Sequence, residues 1–282
     1  MRKVVVTGGS GKAGRCAIGH LRGAGYDVLN VDWTHDGSAH GLCLVTDLTD
    51  PGQAFDALAG ADAVVHLAAI PAPELRPASE TFRINMLSTY NVFAAAEAHG
   101  LARVVYASSE TVLGLPFDDP PAFAPIDESH PSRPESSYSL AKLAGETIAE
   151  QFVRRTGVPY VGLRISNIME PDDYQAFPRY WDDATLRKWN LWGYVDARDV
   201  ATACELGLTA GVDGHEIAII AAADTCMTRD SAALMAEVYP DVPLTRELRG
   251  RETLLAIDRA REVLGYEPQH GWRDEVAAPP DA

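Results

Sequence analysis

The amino-acid sequence predicts an α/β fold, a doubly wound parallel sheet carrying a small C-terminal lobe, and three observations carry that prediction. Short β-branched runs alternate with helical stretches through the first two-thirds of the 282 residues. A glycine-rich turn joins the first run to the first helix, and after Ile165 the rhythm gives way to a stretch rich in Pro, Asp, Arg and Trp.

Taken in order, residues 3–7, 27–32, 42–46, 63–68, 103–108 and 160–165 read as strands, and their near-continuous apolar character implies a sheet covered on both faces. Helical segments lie between them at 12–23, 53–59, 79–99 and 136–156, so strict alternation argues for right-handed crossovers and parallel pairing. Residues 167–193 suit an irregular insertion that covers a pocket. Regularity returns with a helix at 196–208 and a core strand at 215–221 that re-enters the sheet. Helices near 229–238 and 257–264 then join the insertion. The expected division is 1–166 with 194–221 as the main domain, and 167–193 with 222–282 as the lobe. Disorder is expected only at the Pro-containing tail.

Forty acidic against 24 basic residues give a net charge of −16, a field that repels phosphate backbones and anionic membranes, so nucleic acid and membrane are excluded as partners. The apolar run at Val4-Val5-Val6 is cut short by Gly8 and Gly9, which makes it a strand rather than an export signal, and a cytoplasmic location is expected. Cys16, Cys43, Cys204 and Cys226 lie far apart with no CxxC pair; they read as buried thiols, and no metal is expected.

Thr7–Gly14 follows the first strand and opens the first helix, where a dinucleotide pyrophosphate rests on a helix N-terminus. Gly8 permits the tight turn, Gly11 lets backbone N–H groups approach phosphate, and Gly14 lets helix and strand pack closely. The pattern resembles the Rossmann arrangement. Asp32 ends the second strand at the distance expected for a carboxylate that accepts from adenosine ribose hydroxyls and repels a 2′-phosphate, which favours NAD. Lys12 and Arg15 are open to two readings, a 2′-phosphate contact or solvated cations at a helix start.

Tyr138 and Lys142, four residues apart on a helix, share one face. A neighbouring ammonium and an oxidised nicotinamide favour the phenolate, which makes Tyr138 a proton acceptor near neutrality. The strand Val104–Ala107 ends in Ser108-Ser109, where parallel sheets place their crevice; a hydroxyl there polarises a substrate oxygen or serves only the turn.

With these elements in register, the chain resembles the extended short-chain dehydrogenase/reductase family, of NAD-dependent epimerase/dehydratase type. The matching residues are Thr7–Gly14, Asp32, Asp47-Leu48, His66-Leu67-Ala68-Ala69, Asn85, Ser108-Ser109 and Tyr138–Lys142, followed by Tyr194-Val195-Asp196 and Arg198-Asp199-Val200. The resemblance implies that Ser109 hydrogen-bonds the reacting oxygen, Tyr138 transfers the proton, and Lys142 holds the nicotinamide ribose. Asp47 and Leu48 would flank adenine, and Ala68 with its strand end would line a ribose. Lys12, Ala13, Leu67, Ala69, Asn85 and Ile165 complete the expected cofactor set; Asn85 would support a water or backbone turn. A homodimer through the 79–99 and 136–156 helices is implied likewise.

The substrate segment is short, and Leu113 stands where nucleotide-sugar members carry a tyrosine. Arg164-Ile165-Ser166 with Glu170–Tyr174 is instead similar to the uronate dehydrogenase branch, which oxidises free hexuronic acids at C1. That branch's carboxylate-holding arginine falls on Gln175, with Arg179 as the nearest substitute. Glu110 and Thr111 stand where it has amide and imidazole groups. The expected substrate set is Ser109, Glu110, Tyr138, Asn167 and Arg179. Trp181, Trp189, Trp192 and Tyr194 either stack on a sugar or pack the lobe, and Asp182-Asp183 is expected to cap the following helix.

The leading expectation is an oxidoreductase moving hydride between NAD and a sugar-like carbinol, with a free hexuronic acid or aldose as substrate. The alternative is a nucleotide-sugar epimerase or dehydratase that retains its cofactor, and a third is a non-catalytic dinucleotide sensor.

Overall fold

The computed structural model describes residues 2–35 and 41–277; the expectation for the Pro-containing tail falls on 278–282, outside the described residues. Seven strands form one parallel sheet: β1 (Lys3–Thr7), β2 (Asp27–Asp32), β3 (Cys43–Val45), β4 (Ala63–His66), β5 (Arg103–Ser109), β6 (Tyr160–Ile165) and, after the two-residue β7 (Ile168–Met169) and β8 (Val195–Asp196), β9 (His215–Ile220). Their order is β3-β2-β1-β4-β5-β6-β9, and every pairing is parallel. The chain winds outward to β3 and then restarts beside β1 at β4. This reversal opens a crevice at the C-terminal ends of the strands.

Both faces of the sheet's central strands are buried, which is why they read as continuous apolar runs; the edge strand β3 departs from the expected cover, with Leu44 and Val45 exposed. Val4 and Val6 of β1 join one core with Ile18 and Leu21 of α1 (Lys12–Gly23), together with Val200 and Cys204 of α5 (Ala197–Thr209). Val5 points the other way, into a core with Ala54 of α2 (Pro51–Ala57), Phe93 of α3 (Ala78–His99) and Phe152 of α4 (Ser137–Thr156). A Cβ on Gly207 would lie 3.0 Å from Val105 Cγ2, so α5 rests closely on β5.

The expected strands and helices are present with small differences at their ends. The strand expected over 63–68 stops at His66, and Leu67–Ala69 leave the sheet to form a wall of the crevice. The cover is more ordered than its sequence suggests. β7 and β8 pair with each other, and 3-10 turns occupy Pro171–Tyr180 and Ala184–Asn190. The buried Tyr174, Phe177 and Trp192 of residues 167–193 pack with Tyr194 and Trp272 in one core continuous with β1 and β6. The last helices are α6 (Ser231–Val238) and α7 (Asp258–Leu264), and bridges from Ile126 to Leu255 and from Ala124 to Leu244 lace this segment to the loop before α4.

Candidate active site

A cleft of about 970 Å³ follows the crevice from the end of β2 to the end of β6. Its floor is the glycine turn. Gly8 has φ of +72°, and a Cβ there would meet Ala68 N at 2.6 Å; one on Gly14 would lie 2.1 Å from Gly8 O. Side chains at either position would push the turn apart. The N-cap of α1 is Gly11, and no side chain caps the first turn, so its backbone donors are available to an anion.

Asp32 lines the cleft at the end of β2, its Oδ2 accepting from Ser10 N at 2.9 Å and its Oδ1 from Thr34 N at 3.3 Å. Those bonds aim the carboxylate and leave acceptor capacity for vicinal hydroxyls. The two cations of the turn are engaged elsewhere: Lys12 pairs with Asp173, and Arg15 donates to Ser10 O and to Glu170 Oε1 at 2.8 Å. Both side chains meet carboxylates of the segment that follows β7, and Lys12 at 43% exposure is solvated as a cation at a helix start. Lys12 lines the cleft together with Ala13, Asp47, Leu48, Leu67, Ala68, Ala69 and Ile165. Asp47 Oδ1 accepts from Thr49 N and Oγ1, which fixes the loop after β3.

Asn85 lies elsewhere. Its side chain brackets one residue, accepting from Ile70 N at 2.7 Å and donating to Ile70 O at 3.1 Å, and it does not line the cleft. It holds a backbone turn, as one half of its expected role, and the placement of Asn85 in the cofactor set is corrected accordingly.

Ser109, Tyr138 and Lys142 converge at the mouth of β5. Ser136 and Ser139 cap α4 reciprocally, which places Tyr138 and Lys142 in its first two turns, on the face turned to the sheet. Tyr138 shares a hydrogen bond with Ser109, whose Oγ accepts from Thr111 N at 3.2 Å and Thr111 Oγ1 at 3.0 Å. Lys142 Nζ donates to Ala107 O at 2.7 Å and sits 5.8 Å from the Tyr138 ring centre. Burial lowers the Lys142 ammonium to about 8, opposed by Glu146. The phenol differs from expectation: burial pushes Tyr138 up to about 12, the Ser109 hydrogen bond opposes this, and Glu110 adds to it. Without cofactor the desolvation of the ring outweighs any help from Lys142.

Glu110 is buried where the cleft meets the cover. Its Oε2 accepts from Ser166 Oγ at 2.6 Å, Oε1 accepts from Asn190 Nδ2 at 3.3 Å, and Asn167 N also donates to the carboxylate. Burial raises it to about 7 in spite of these donors. Asn167 lines the cleft; Arg179 is exposed on the 171–180 turn and does not, which corrects its expected place in the substrate set. Gln175 donates to Glu275 O. Trp189 alone of the four aromatics lines the cleft, whereas Trp181 and Trp192 spend their indole N–H on Cys226 O and Ala184 O, and Tyr194 donates to Asp224. Asp183 caps the Ala184–Asn190 turn through Thr185 N.

Two features went unforeseen. Trp33, half-exposed directly after Asp32, lines the β2 end of the cleft; its adjacency to Asp32 was the available signal. Beneath Lys142, Glu146 receives Arg164 through Nε at 3.0 Å and Nη2 at 2.9 Å, and Ser108 Oγ at 2.5 Å. Glu146 follows Lys142 by four residues, so helical spacing could have pointed to it; Arg164 requires the β5–β6 register.

The cleft fits a dinucleotide by its own construction: a floor that side chains at Gly8 or Gly14 would fill, an uncapped helix start and a carboxylate at the end of β2. Comparison with known proteins agrees. The chain is 32% identical over 183 residues to an L-arabinose 1-dehydrogenase (NAD(P)(+)) of Haloferax volcanii, covering 61% of this chain and 70% of that one. It is 29% identical over 189 residues to a uronate dehydrogenase of Pseudomonas syringae, covering 65% and 66%. Among solved structures, MoeE5 in complex with UDP-glucuronic acid and NAD superposes with a TM-score of 0.74 at 25% identity, over 97% of this chain and 96% of that one. The family model for the NAD dependent epimerase/dehydratase family matches residues 4–220, and the chain belongs to that family.

Proposed function

We propose that the protein is a dehydrogenase that oxidises a sugar-like carbinol of a free sugar and releases its reduced cofactor. One observation carries the reading: Ser109, Tyr138 and Lys142 meet in the same cleft whose floor is the glycine turn, and the cover over that cleft is short. NAD would be held by Gly8, Gly11, Ala13 and Gly14 at the glycine turn, by Asp32 at the end of β2, and by Asp47, Leu48, Leu67, Ala68, Ala69 and Ile165, all of which line the cleft. When bound, it supplies a hydride acceptor and a positive charge beside the phenol.

The remaining work belongs to the chain. Ser109 Oγ, with its lone pairs engaged by Thr111, turns its proton toward the substrate oxygen. Tyr138 Oη would take the hydroxyl proton of the carbinol being oxidised, and a positive charge beside the phenol would offset the burial that otherwise holds it near 12. Lys142, fixed by Ala107 O, would offer its other protons to the nicotinamide ribose and keeps positive charge 5.8 Å from the Tyr138 ring centre. Residues 167–193 and 222–282 are assigned to the substrate cover and the rest of the chain to cofactor binding; the Lys12–Asp173 and Arg15–Glu170 pairs support this by joining the two at the cleft rim.

A second reading, transient oxidation with the hydride returned to the sugar, is favoured by the near-complete match to MoeE5 with its nucleotide sugar. NADH formation separates the two: purified protein, NAD and a panel of free sugars yields NADH that Tyr138→Phe abolishes, whereas the second reading gives converted sugar without net NADH. The cytoplasm, where NAD(H) turns over, is the proposed compartment. A homodimer through α3 and α4 is proposed as well, supported by the exposure of Leu87, Tyr90 and Leu140 on that paired surface.

A further inference from the structure

The charge at the substrate end of the cleft points to the kind of sugar. We infer that Glu110 is a specificity-determining residue that accepts a substrate hydroxyl and turns away anionic sugars, so that the substrate is an uncharged aldose and not a uronate or sugar phosphate. The inference rests on the dehydrogenase reading and narrows it.

Four observations converge. Among the described lining residues the cations are Lys12 and Lys142, and neither is offered to substrate: Lys12 pairs with Asp173, and Lys142 is held by Ala107 O beside the phenol. Glu110 stands next to Ser109, the residue hydrogen-bonded to Tyr138, so a sugar carbon bound at Ser109 brings a neighbouring substituent to the carboxyl. Arg179, the one cation of the cover expected to meet an acidic substrate, is exposed outside the cleft. Finally, the donors around Glu110, namely Ser166 Oγ, Asn190 Nδ2 and Asn167 N, are neutral; they occupy part of its acceptor capacity and leave the rest to a hydroxyl.

The charged groups facing Glu110 are few. From the Ala184–Asn190 turn, Arg187 opposes the rise of its pKa but spends Nη2 on Gly193 O, and from α4 the phenol of Tyr138 faces it. With its carboxyl titrating near 7, the repulsion of a uronate grows as pH rises through neutrality.

The test compares galactose with galacturonate, which differ at one terminal carbon, and adds galactose 6-phosphate and galactosamine. The readouts are NADH formation and, independently, sugar binding to the NADH-loaded protein by calorimetry. The expected result is a preference of about tenfold or more for galactose over both anions in wild type, widening between about pH 6 and about pH 8. Glu110→Gln narrows that preference severalfold. Silence in turnover on every sugar sinks the dehydrogenase reading, and the binding ratio then decides the charge preference. Equal or tighter binding of galacturonate, a ratio that ignores both pH and Glu110→Gln, or strict preference for the amine overturns the inference. If Glu110→Gln fails to fold, the pH dependence of the wild-type ratio decides in its place: a ratio that widens with pH supports the inference, and a flat one overturns it.

Discussion

Replacing Lys142 by Met should strengthen the fold while removing activity. The lysine is 8% exposed, and burial lowers its ammonium from the usual 10.5 to about 8. At pH 7 it is charged both folded and unfolded, so the folded protein bears roughly 3 kcal/mol for holding a desolvated charge, at about 1.4 kcal/mol per pKa unit. Methionine fills similar space without charge but leaves Ala107 O without its donor, a loss of about 1–2 kcal/mol. The net expectation is a variant more stable by about 1–2 kcal/mol at neutral pH, or roughly 2–6 °C in Tm. The pH dependence is the sharper test. Because the folded pKa lies below the unfolded one, between about pH 8 and 10.5 the unfolded chain holds a proton that the folded chain has released, so wild-type stability rises with pH across that window. The variant has no such term. Its advantage should shrink above pH 8 and reverse between about pH 9 and 10, as read from denaturant midpoints of the cofactor-free proteins. A variant less stable than wild type at pH 7, or a difference that does not change with pH, would refute the reasoning.

Four further outcomes are expected. Tyr138→Phe should lower turnover by about 10²–10⁴ while NADH binding, followed by fluorescence, changes little. Glu146→Leu leaves Arg164, 5% exposed, without its carboxylate and should cost about 3–5 kcal/mol in chemical denaturation; a loss below about 1 kcal/mol would show that Arg164 finds another partner. Gly14→Ala puts a methyl 2.1 Å from Gly8 O and should abolish calorimetric NAD binding, and a Kd near wild type would mean that the turn yields. Replacing both Leu87 and Leu140 by Glu should convert the proposed dimer to a monomer in sedimentation, with an unchanged wild-type-like far-UV spectrum.

The sheet was legible because parallel strands buried on both faces leave an unambiguous record: Val4, Val5 and Val6 must all be apolar. The glycine turn was legible for a related reason, since close approach between Gly8, Gly14 and Ala68 admits no side chain. Local patterns ceased to inform where partners are distant. The 171–180 turn carries Pro178, which masks the helical spacing of Tyr174 and Phe177, and the two-residue β7 and β8 are too short to alternate. Arg179 looked like a substrate ligand because sequence distance places it near Gln175; the turn's geometry leaves it in solvent. Asn85 is polar inside a helix, which signals a buried task without naming it, and only the β4 exit loop shows that Ile70 is the partner. The high pKa of Tyr138 likewise follows from burial, which a four-residue spacing does not report.

The position of β6 bears on how the chain emerges from the ribosome. Its six residues are all buried, with β5 on one side and β9 on the other. Translation completes β6 at Ile165 and β9 only at Ile220, so for roughly 3–10 s, at about 5–20 residues per second, Tyr-Val-Gly-Leu-Arg-Ile is an apolar sheet edge open to a neighbouring nascent chain. Arg164 is the one charge in it, and Glu146, already synthesised, holds that charge in place. A guanidinium fixed within an exposed edge discourages a foreign strand from pairing there, and polysomes making an Arg164→Leu, Glu146→Leu double variant would be more prone to co-translational aggregation than the stability of the finished protein implies.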